Sequence, residues 1–465
     1  MAFSPHAIMN SRLFPLLRRD FTISAVAMTV GYCVPARAQS AQRDVRSYGA
    51  KGDGVADDSS AIQTAINDSV GKSLLFPATS AFYKITKTLV VPPCNGIDLV
   101  INGELRLVLG RGETARCAIY GEDVGSLAIS GGGVINGGAD VDLRPGAGRK
   151  SSMAAVFFIR SSIGGRADIS NLKITNAYTA ACSVVNYADV NISKYDAYRC
   201  GVGHLNTRFA GESIVVKSAN SLNITDFKAE DCTDGAGLLI CKNVIGKRLS
   251  FINCGLGPDV PACGSVSIDG LVVRNPKVVG FTSVAWGAET IQRGAQKVVL
   301  NNVDISGTSG VGVGMALDST DSALISGQIE GLNRGLVVSR SFLKQKFQVA
   351  RNKSIAFNGT ISNCSGPGIT VSAVDQFSFS GKCFGNGRAR LGSGNIVINT
   401  SDPGDSVGEL ALNLSEMDVQ NSSGDYLVLQ GINLTTVKLR GVEINSLLKR
   451  TKKAASTSSI KFEAF

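Results

Sequence analysis

The stretch from Arg199 to Lys217, RCGVGHLNTRFAGESIVVK, gathers an imidazole, a carboxylate and three cationic side chains into one turn and one apolar strand. His204 is the second of only two histidines in the chain, and Arg199, Arg208, Glu212 and Lys217 surround it in sequence. A base beside cations suits removal of a proton next to a carboxylate, with the positive charge stabilising the enolate that forms. His204, Lys217, Arg208 and Tyr195 are candidates for those two tasks. A second chemistry needs carboxyl groups in pairs, one protonated as acid and one ionised as base or nucleophile. Glu212, Asp234, Glu289 and Asp318 are the acids whose spacing puts them on neighbouring structural units. Trp286, the single tryptophan, is an aromatic surface close to Glu289 and Arg293. The expected catalytic set is His204, Glu212, Lys217 and Asp234, with Tyr195, Arg199, Arg208, Trp286, Glu289, Arg293 and Asp318 as substrate contacts.

Those units are repeats. The pattern h-x-h-[SN]-x-x-x-h, where h is apolar, recurs as LAISGGGVING, ADISNLKITN, VNISKYDAYRC, LNITDFKAEDC, KRLSFINC and VSIDGLVVRN, and continues toward VKLRGVEIN. Taking the second apolar residue as anchor gives Ile129, Ile169, Ile192, Ile224, Leu249, Ile268, Leu300, Ile325, Phe357, Phe379, Leu414 and Leu439, at intervals of 19 to 40 residues. A second apolar strand precedes each anchor, as in CSVVN, SIVVK, GLLIC and GLVVS. Two or three short strands per unit leave no room for a helix, and such a unit buries its apolar side only by stacking on copies of itself. The expected fold is all-β, a right-handed single-stranded parallel β-helix of about a dozen coils. A propeller would need longer and more regular repeats of about 40 residues.

Composition agrees: 44% apolar residues, 6% aromatic residues and 53 glycines among 465 favour short strands and tight turns over helices. Cys200, Cys232, Cys254 and Cys364 recur at one point of their repeats, just before the turn, which puts them in an interior column. They lack the close pairing of a metal site. Buried thiols are the first expectation, one or two disulfides the second.

Residues 1–38 read as a twin-arginine-type export signal: Arg18-Arg19-Asp20-Phe21, an apolar stretch from Ile23 to Val34, and Ala36-Arg37-Ala38 before cleavage. The expected location is periplasmic or secreted. Removing the signal takes away four arginines and one aspartate, so 47 basic and 37 acidic residues become 43 and 36, a net charge of +7. A basic exported protein suits an acidic polymer such as a uronate-containing polysaccharide. No nucleic-acid partner and no stable membrane insertion are expected, and a monomer is the expected state. Residues 39–445 form the repeat domain, and 446–465 a basic, Ser-rich tail or closing cap.

The segment YGAKGDGVADDSSAIQTAI, Tyr48–Ile66, is not an ion cradle. Lys51 precedes Gly52, against the order of a phosphate-binding loop, and Val55 stands where a calcium loop needs its second ligand. Asp57 or Asp58 can cap a helix, with Ala61, Ile62, Ala65, Ile66 and Val70 on one apolar stripe. With Asp44 to Tyr48 before it, this segment resembles the opening segment of pectate-lyase-superfamily proteins, a group that includes polygalacturonases, lyases, alginate epimerases and tailspikes. The resemblance implies a helix covering the first coil, and a substrate groove along one sheet of the middle coils, from about Tyr178 to Asp318. GESIVVKS is similar to the polygalacturonase segment G-D-D-C-I-A-I-K-S, with Gly211-Glu212 in place of the paired aspartates, and CTDG at Asp234 to that family's N-T-D-G. The order of the two is inverted, and the later G-H-G and R-I-K motifs are absent. The expectation is therefore an exported carbohydrate-active enzyme that cleaves or modifies an acidic, uronate-containing polysaccharide by glycoside hydrolysis or β-elimination. A non-catalytic glycan-binding scaffold and a uronate C5-epimerase are the alternatives. No cofactor is expected, and calcium remains open.

Overall fold

The structure is a computed structural model and describes residues 42–109, 117–139, 154–201, 212–285, 293–308, 310–340, 350–387, 394–400, 405–417, 426–430, 434–441, 451–453 and 461–464. His204, Arg208, Trp286, Glu289 and residues 1–38, expected to be an export signal, lie outside the described residues.

Every strand pairing is parallel, and each strand pairs with its counterpart one coil before and one coil after. The chain is a right-handed parallel β-helix. Its longest register row is the anchor row that the repeats define: Ile129, Ile169, Ile192, Ile224, Gly246, Ile268, Leu300, Ile325, Phe357, Phe379, Leu412 and Leu439. Two expected anchors fall out of that row. Leu249 pairs with Phe227 and Leu271, and Leu414 with Gly381 and Gly441. In the first case a glycine stands in the row and Leu249 fills the gap: a Cβ on Gly246 would lie 3.0 Å from Leu249 Cδ1. The interior tolerates this because it requires filled volume rather than one residue type at each position.

Like residues stack on like within the core. Tyr195 lies over Phe227 with ring centroids 5.3 Å apart and planes within 8°, and Phe227 over Phe251 at 5.5 Å. Cys200, Cys232 and Cys254 stand in one buried column, with Cys364 in the same row further along. All described cysteines are free thiols, and all but Cys94 are buried. Desolvation pushes the Cys182 and Cys364 thiols up, to about 12 and about 11.

The helix Ser59–Asp68 covers the first coil. Asp57 Oδ1 accepts from the Ser59 amide at 3.0 Å. The Asp58 carboxylate turns back to accept from the amides of Lys51 (2.7 Å) and Gly52 (3.0 Å), which ties down the glycine-rich turn. Ile62, Ala65 and Ile66 enter the core, and Gln63 exchanges two hydrogen bonds with the backbone of Val90 on the first coil. At the other end the stack continues past residue 445, because Thr451–Lys453 and Lys461–Ala464 pair in parallel with Leu427–Gln430 and Leu434–Gly441. Among the described residues no helix is long and apolar enough to cross a membrane.

Truncating a stacked interior ring removes both burial and the contacts with two neighbours. Phe227→Ala is expected to lower the unfolding free energy by about 3–5 kcal/mol, read from denaturant titration. In the same titration the buried thiols should become reactive toward an aromatic disulfide reagent only as the chain unfolds, whereas the half-buried Cys94 can react earlier.

Candidate functional site

Tracing one sheet coil by coil gives the strands Ala180–Tyr198 (its first part), Glu212–Lys217, Asp234–Leu239, Pro258–Asp259, Val279–Ser283 and Val313–Asp318. Inward residues alternate with outward ones, so one outward row runs Tyr120, Phe157, Ser183, Val215, Gly237, Asp259, Thr282, Ala316. Neighbours along such a row are about 4.8 Å apart.

Glu212 and Asp234 open two successive strands and oppose each other in register. The interval of 22 residues is one full coil, and it recurs between Gly237 and Asp259. The Glu212 side chain leans along its strand until Cγ and Oε1 stand 3.5 and 3.7 Å from where a Cβ on Gly237 would be. Gly237 has no side chain, and the carboxylate occupies the space above it. The next member of the row is Asp259, buried, whose Oδ1 accepts from Thr282 Oγ1 at 3.2 Å. Three carboxyl groups thus lie on three successive coils: Glu212 reaches over Gly237 toward Asp259, whereas Asp234 is buried with Oδ1 3.0 Å from where a Cβ on Gly255 would be.

Their environments differ. Asp234 is 5% exposed. Burial, with the neighbouring Glu212 carboxylate adding to it, pushes its pKa up to about 7. It is therefore partly protonated at neutral pH, while Glu212 is half-buried and reaches the surface. A carboxyl group that can give up a proton beside a second carboxyl group is the equipment of acid–base chemistry on an acetal.

Lys217, half-buried, closes the same strand on the outward face, two positions along from Val215. Arg199 belongs to a corner row with Asp231, Asn253 and Asn275, all with φ between 52° and 55°. Asn253 donates to Asp231 at 3.1 Å and Asn275 to Asn253 at 3.2 Å, and Asp231 stands three residues before Asp234. Tyr195 is not a substrate contact: it is wholly buried in the ring stack and its hydroxyl donates to the Ser213 carbonyl at 3.0 Å. Burial raises its pKa well above 10. Arg293 is set apart from the pair and donates to Asp321 at 2.9 Å, with Lys353 on the other Asp321 oxygen at 3.3 Å. Asp318 is buried at the end of its strand, four coils on from Lys217, and accepts from Ser319 Oγ at 3.1 Å. The structure therefore brings together Glu212 and Asp234, keeps Lys217 on the same face, and separates Arg293 and Asp318 from them.

Sequence reasoning missed Asp259, Thr282, and the outward pair Tyr120 and Phe157, whose rings stack at 5.8 Å within 10° at the other end of the row. The signal for Asp259 was arithmetic: it lies one 22-residue coil beyond Gly237. Among the described residues no three His, Cys, Asp or Glu side chains converge as a bound metal would require.

This is a parallel β-helix with a carboxyl-lined outer face. The opening segment, whose residues resemble those of the pectate-lyase superfamily, matches a family model of that kind, and the fold is the parallel β-helix that the resemblance implies. Residues 42–91 match the family model described as rhamnogalacturonase A/epimerase, pectate lyase-like. No curated protein matches the chain by sequence. Among solved structures, the A-module of the mannuronan C-5 epimerase AlgE6 of Azotobacter vinelandii is 14% identical, with a TM-score of 0.41, over 91% of this chain and 99% of that one. The Agl-KA catalytic domain is 12% identical, at 0.37, over 92% and 69%. The Dettilon tailspike protein is 11% identical, at 0.32, over 84% and 70%. Likenesses this distant carry nothing about the reaction.

The raised Asp234 pKa makes a signed prediction about stability. The folded chain holds this proton up to about pH 7, whereas an unfolded aspartate loses it near pH 4. The contribution is thus fully present below about pH 4 and is lost as pH rises to about 7. Asp234→Asn keeps the neutral form, so the stability difference between variant and wild type should grow in favour of the variant across that window, by up to roughly 4 kcal/mol. Denaturant titrations of both proteins at a series of pH values read the difference directly.

Proposed function

We propose that this protein is an exported carbohydrate-active enzyme that hydrolyses an acidic polysaccharide, with Asp234 as the proton donor and Glu212 as the second carboxyl group. The observation that carries the reading is the register pair Glu212–Asp234, in which one carboxyl group titrates near neutrality beside the other. Asp234 gives its proton to the glycosidic oxygen as the bond to the leaving sugar breaks. Glu212, above the bare backbone of Gly237, meets the positive charge that develops on the ring or draws the proton from an attacking water. Lys217 on the same face suits a carboxylate on the substrate. The outward ring edges of Tyr120 and Phe157 offer apolar surface further along the row. The match of the opening segment to a pectate-lyase-like family, the twin-arginine-type pattern of residues 1–38 and the net charge of +7 expected after their removal support a polysaccharide outside the cytoplasm.

The test is a panel of neutral and uronate polysaccharides, with reducing ends and unsaturated ends followed in parallel. Reducing ends without unsaturated ends are expected from a uronate polymer, with the rate falling above about pH 7 as Asp234 loses its proton. Asp234→Asn and Glu212→Gln are each expected to slow the reaction by about 10²–10⁴-fold. Unsaturated ends would assign β-elimination instead, a change of the uronate epimer without cleavage would assign epimerisation, and full activity in both variants would remove the pair from the mechanism.

Gly237 supplies a second check. Gly237→Leu places a side chain where the Glu212 carboxylate rests, so it should lower kcat at least tenfold. Gly237 is buried, so Gly237→Ala, whose Cβ would meet Glu212 Cγ at an ordinary 3.5 Å, is the control expected to keep both kcat and the thermal midpoint near wild type.

A further inference from the structure

A groove opens where the chain turns out of the candidate-site sheet into the next one. It encloses about 620 Å³ and lies on four successive coils. It is roughly 20 Å along the strand from the Glu212–Asp234 end, a separation of six residues.

Its construction follows from the coil register. One row across it reads Asn220, Lys242, Gly264, Gln296, and the row beside it reads Asn243, Ser265, Lys297. The floor is bare at Gly264, where a Cβ would fall 2.5 Å from the Lys242 carbonyl oxygen, so a side chain cannot occupy that point without moving the coil below. Lys242 and Lys297 stand exposed on either side of that floor. Among the described residues, none that lines the groove carries a negative charge. Acids appear only at the ends of the rows. Asp189 opposes Arg166 in register at one end, and Asp321 at the other is held by Arg293 and Lys353. Among the described residues neither lysine forms an ion pair. One wall is apolar: Ile163, on the excursion that breaks register between Ile159 and Gly164, is 51% exposed and lines the groove with Ile240.

We infer that this groove is a second binding site, separate from the carboxyl pair, for a uronate-containing oligosaccharide lying across the coils. Two ammonium groups two coils apart, about 10 Å along the stack, match carboxylates on a chain of sugars, and screening by salt weakens them as it weakens any exposed charge contact. Asn220, Asn243 and Gln296 offer both donors and acceptors to hydroxyl groups. Ile163 gives the apolar face of a sugar ring a surface to cover. The four coils span about 14 Å, and the groove is open along that length, so the fit is to a segment of polymer rather than to a small enclosed anion. A site of this kind holds the polymer on the enzyme between turnovers, and its residues are independent of which reaction the carboxyl pair performs.

Titration calorimetry on the full chain, with oligogalacturonate of defined length as probe, tests the inference. The comparison probe is the same oligomer with its carboxyl groups reduced to alcohols. Wild type is expected to bind the oligouronate, at least tenfold more weakly when the probe is reduced or the salt is raised to 1 M. Lys242→Glu with Lys297→Glu should weaken oligouronate binding at least tenfold while leaving cleavage of the shortest substrates and the melting temperature unchanged. Glu212→Gln with Asp234→Asn should retain this binding. The inference is overturned if the charge-reversed protein, folded by its melt, binds as wild type does. It is equally overturned if wild type does not bind, if the Glu212 and Asp234 substitutions abolish the binding, or if inorganic phosphate at the same concentration displaces the probe.

Discussion

Hydrogen bonding between successive coils, in parallel and in register, is the constraint on which the rest of the structure depends. A single coil of this chain has an apolar inner side and nothing of its own to cover it. Stacking solves the burial problem once for every neighbour, and the backbone bonds that hold the stack also decide which side chains meet. Tyr195 stacks on Phe227 because the two are register partners, Phe251 meets Phe227 diagonally from the next coil, and the Cys200, Cys232 and Cys254 column forms by register as well. The ends of such a stack would expose both apolar surface and unpaired backbone groups. At the start of the chain the helix Ser59–Asp68 answers both, burying Ile62, Ala65 and Ile66 while Gln63 satisfies the Val90 backbone.

The outer face obeys the same register with different consequences. Residues one coil apart in sequence become neighbours at about 4.8 Å, close enough for two carboxyl groups to alter each other's titration. Asp234 combines that proximity with burial, and the two effects act in the same direction, both favouring the protonated form. Gly237 matters by what it lacks, since the Glu212 carboxylate rests in the volume that a side chain would take. The groove beside Lys242 and Lys297 is built in the same manner, from polar side chains repeated on consecutive coils around a glycine floor. Both features belong to a rigid lattice of strands, so neither needs a loop to move in order to exist.

The acids and glycines of the Tyr48–Ile66 stretch show how one composition serves different ends. Asp53, Asp57 and Asp58 all accept hydrogen bonds from local amides or hydroxyls, which accounts for the lowered pKa values of Asp53 and Asp57. They fasten a turn to a helix start. The carboxyl pair on the middle coils is opposed in register, and Asp234 within it is under strain of charge and burial, which is the condition that chemistry uses.

Ten of the twelve anchors, the inward cysteine column and the covering helix were legible in the amino-acid sequence, because each depends on local pattern: apolar spacing repeated at coil length, and capping residues beside an apolar stripe. The sequence also singled out Glu212, Asp234 and Lys217, since charged residues beside an apolar strand are conspicuous in one dimension. It did not say that Tyr195 points inward, because the parity of a strand is set by its pairing, nor that Leu249 replaces Gly246 in the core, because volume is shared between coils. Tertiary structure alone decided that Glu212 reaches over Gly237, that Asp259 joins the row, that Arg293 and Asp318 stand apart, and that Lys242 and Lys297 face one groove. The physical reason is that a distance between coils is a property of register, and register is a sum over every pairing in the stack rather than a property of any one segment.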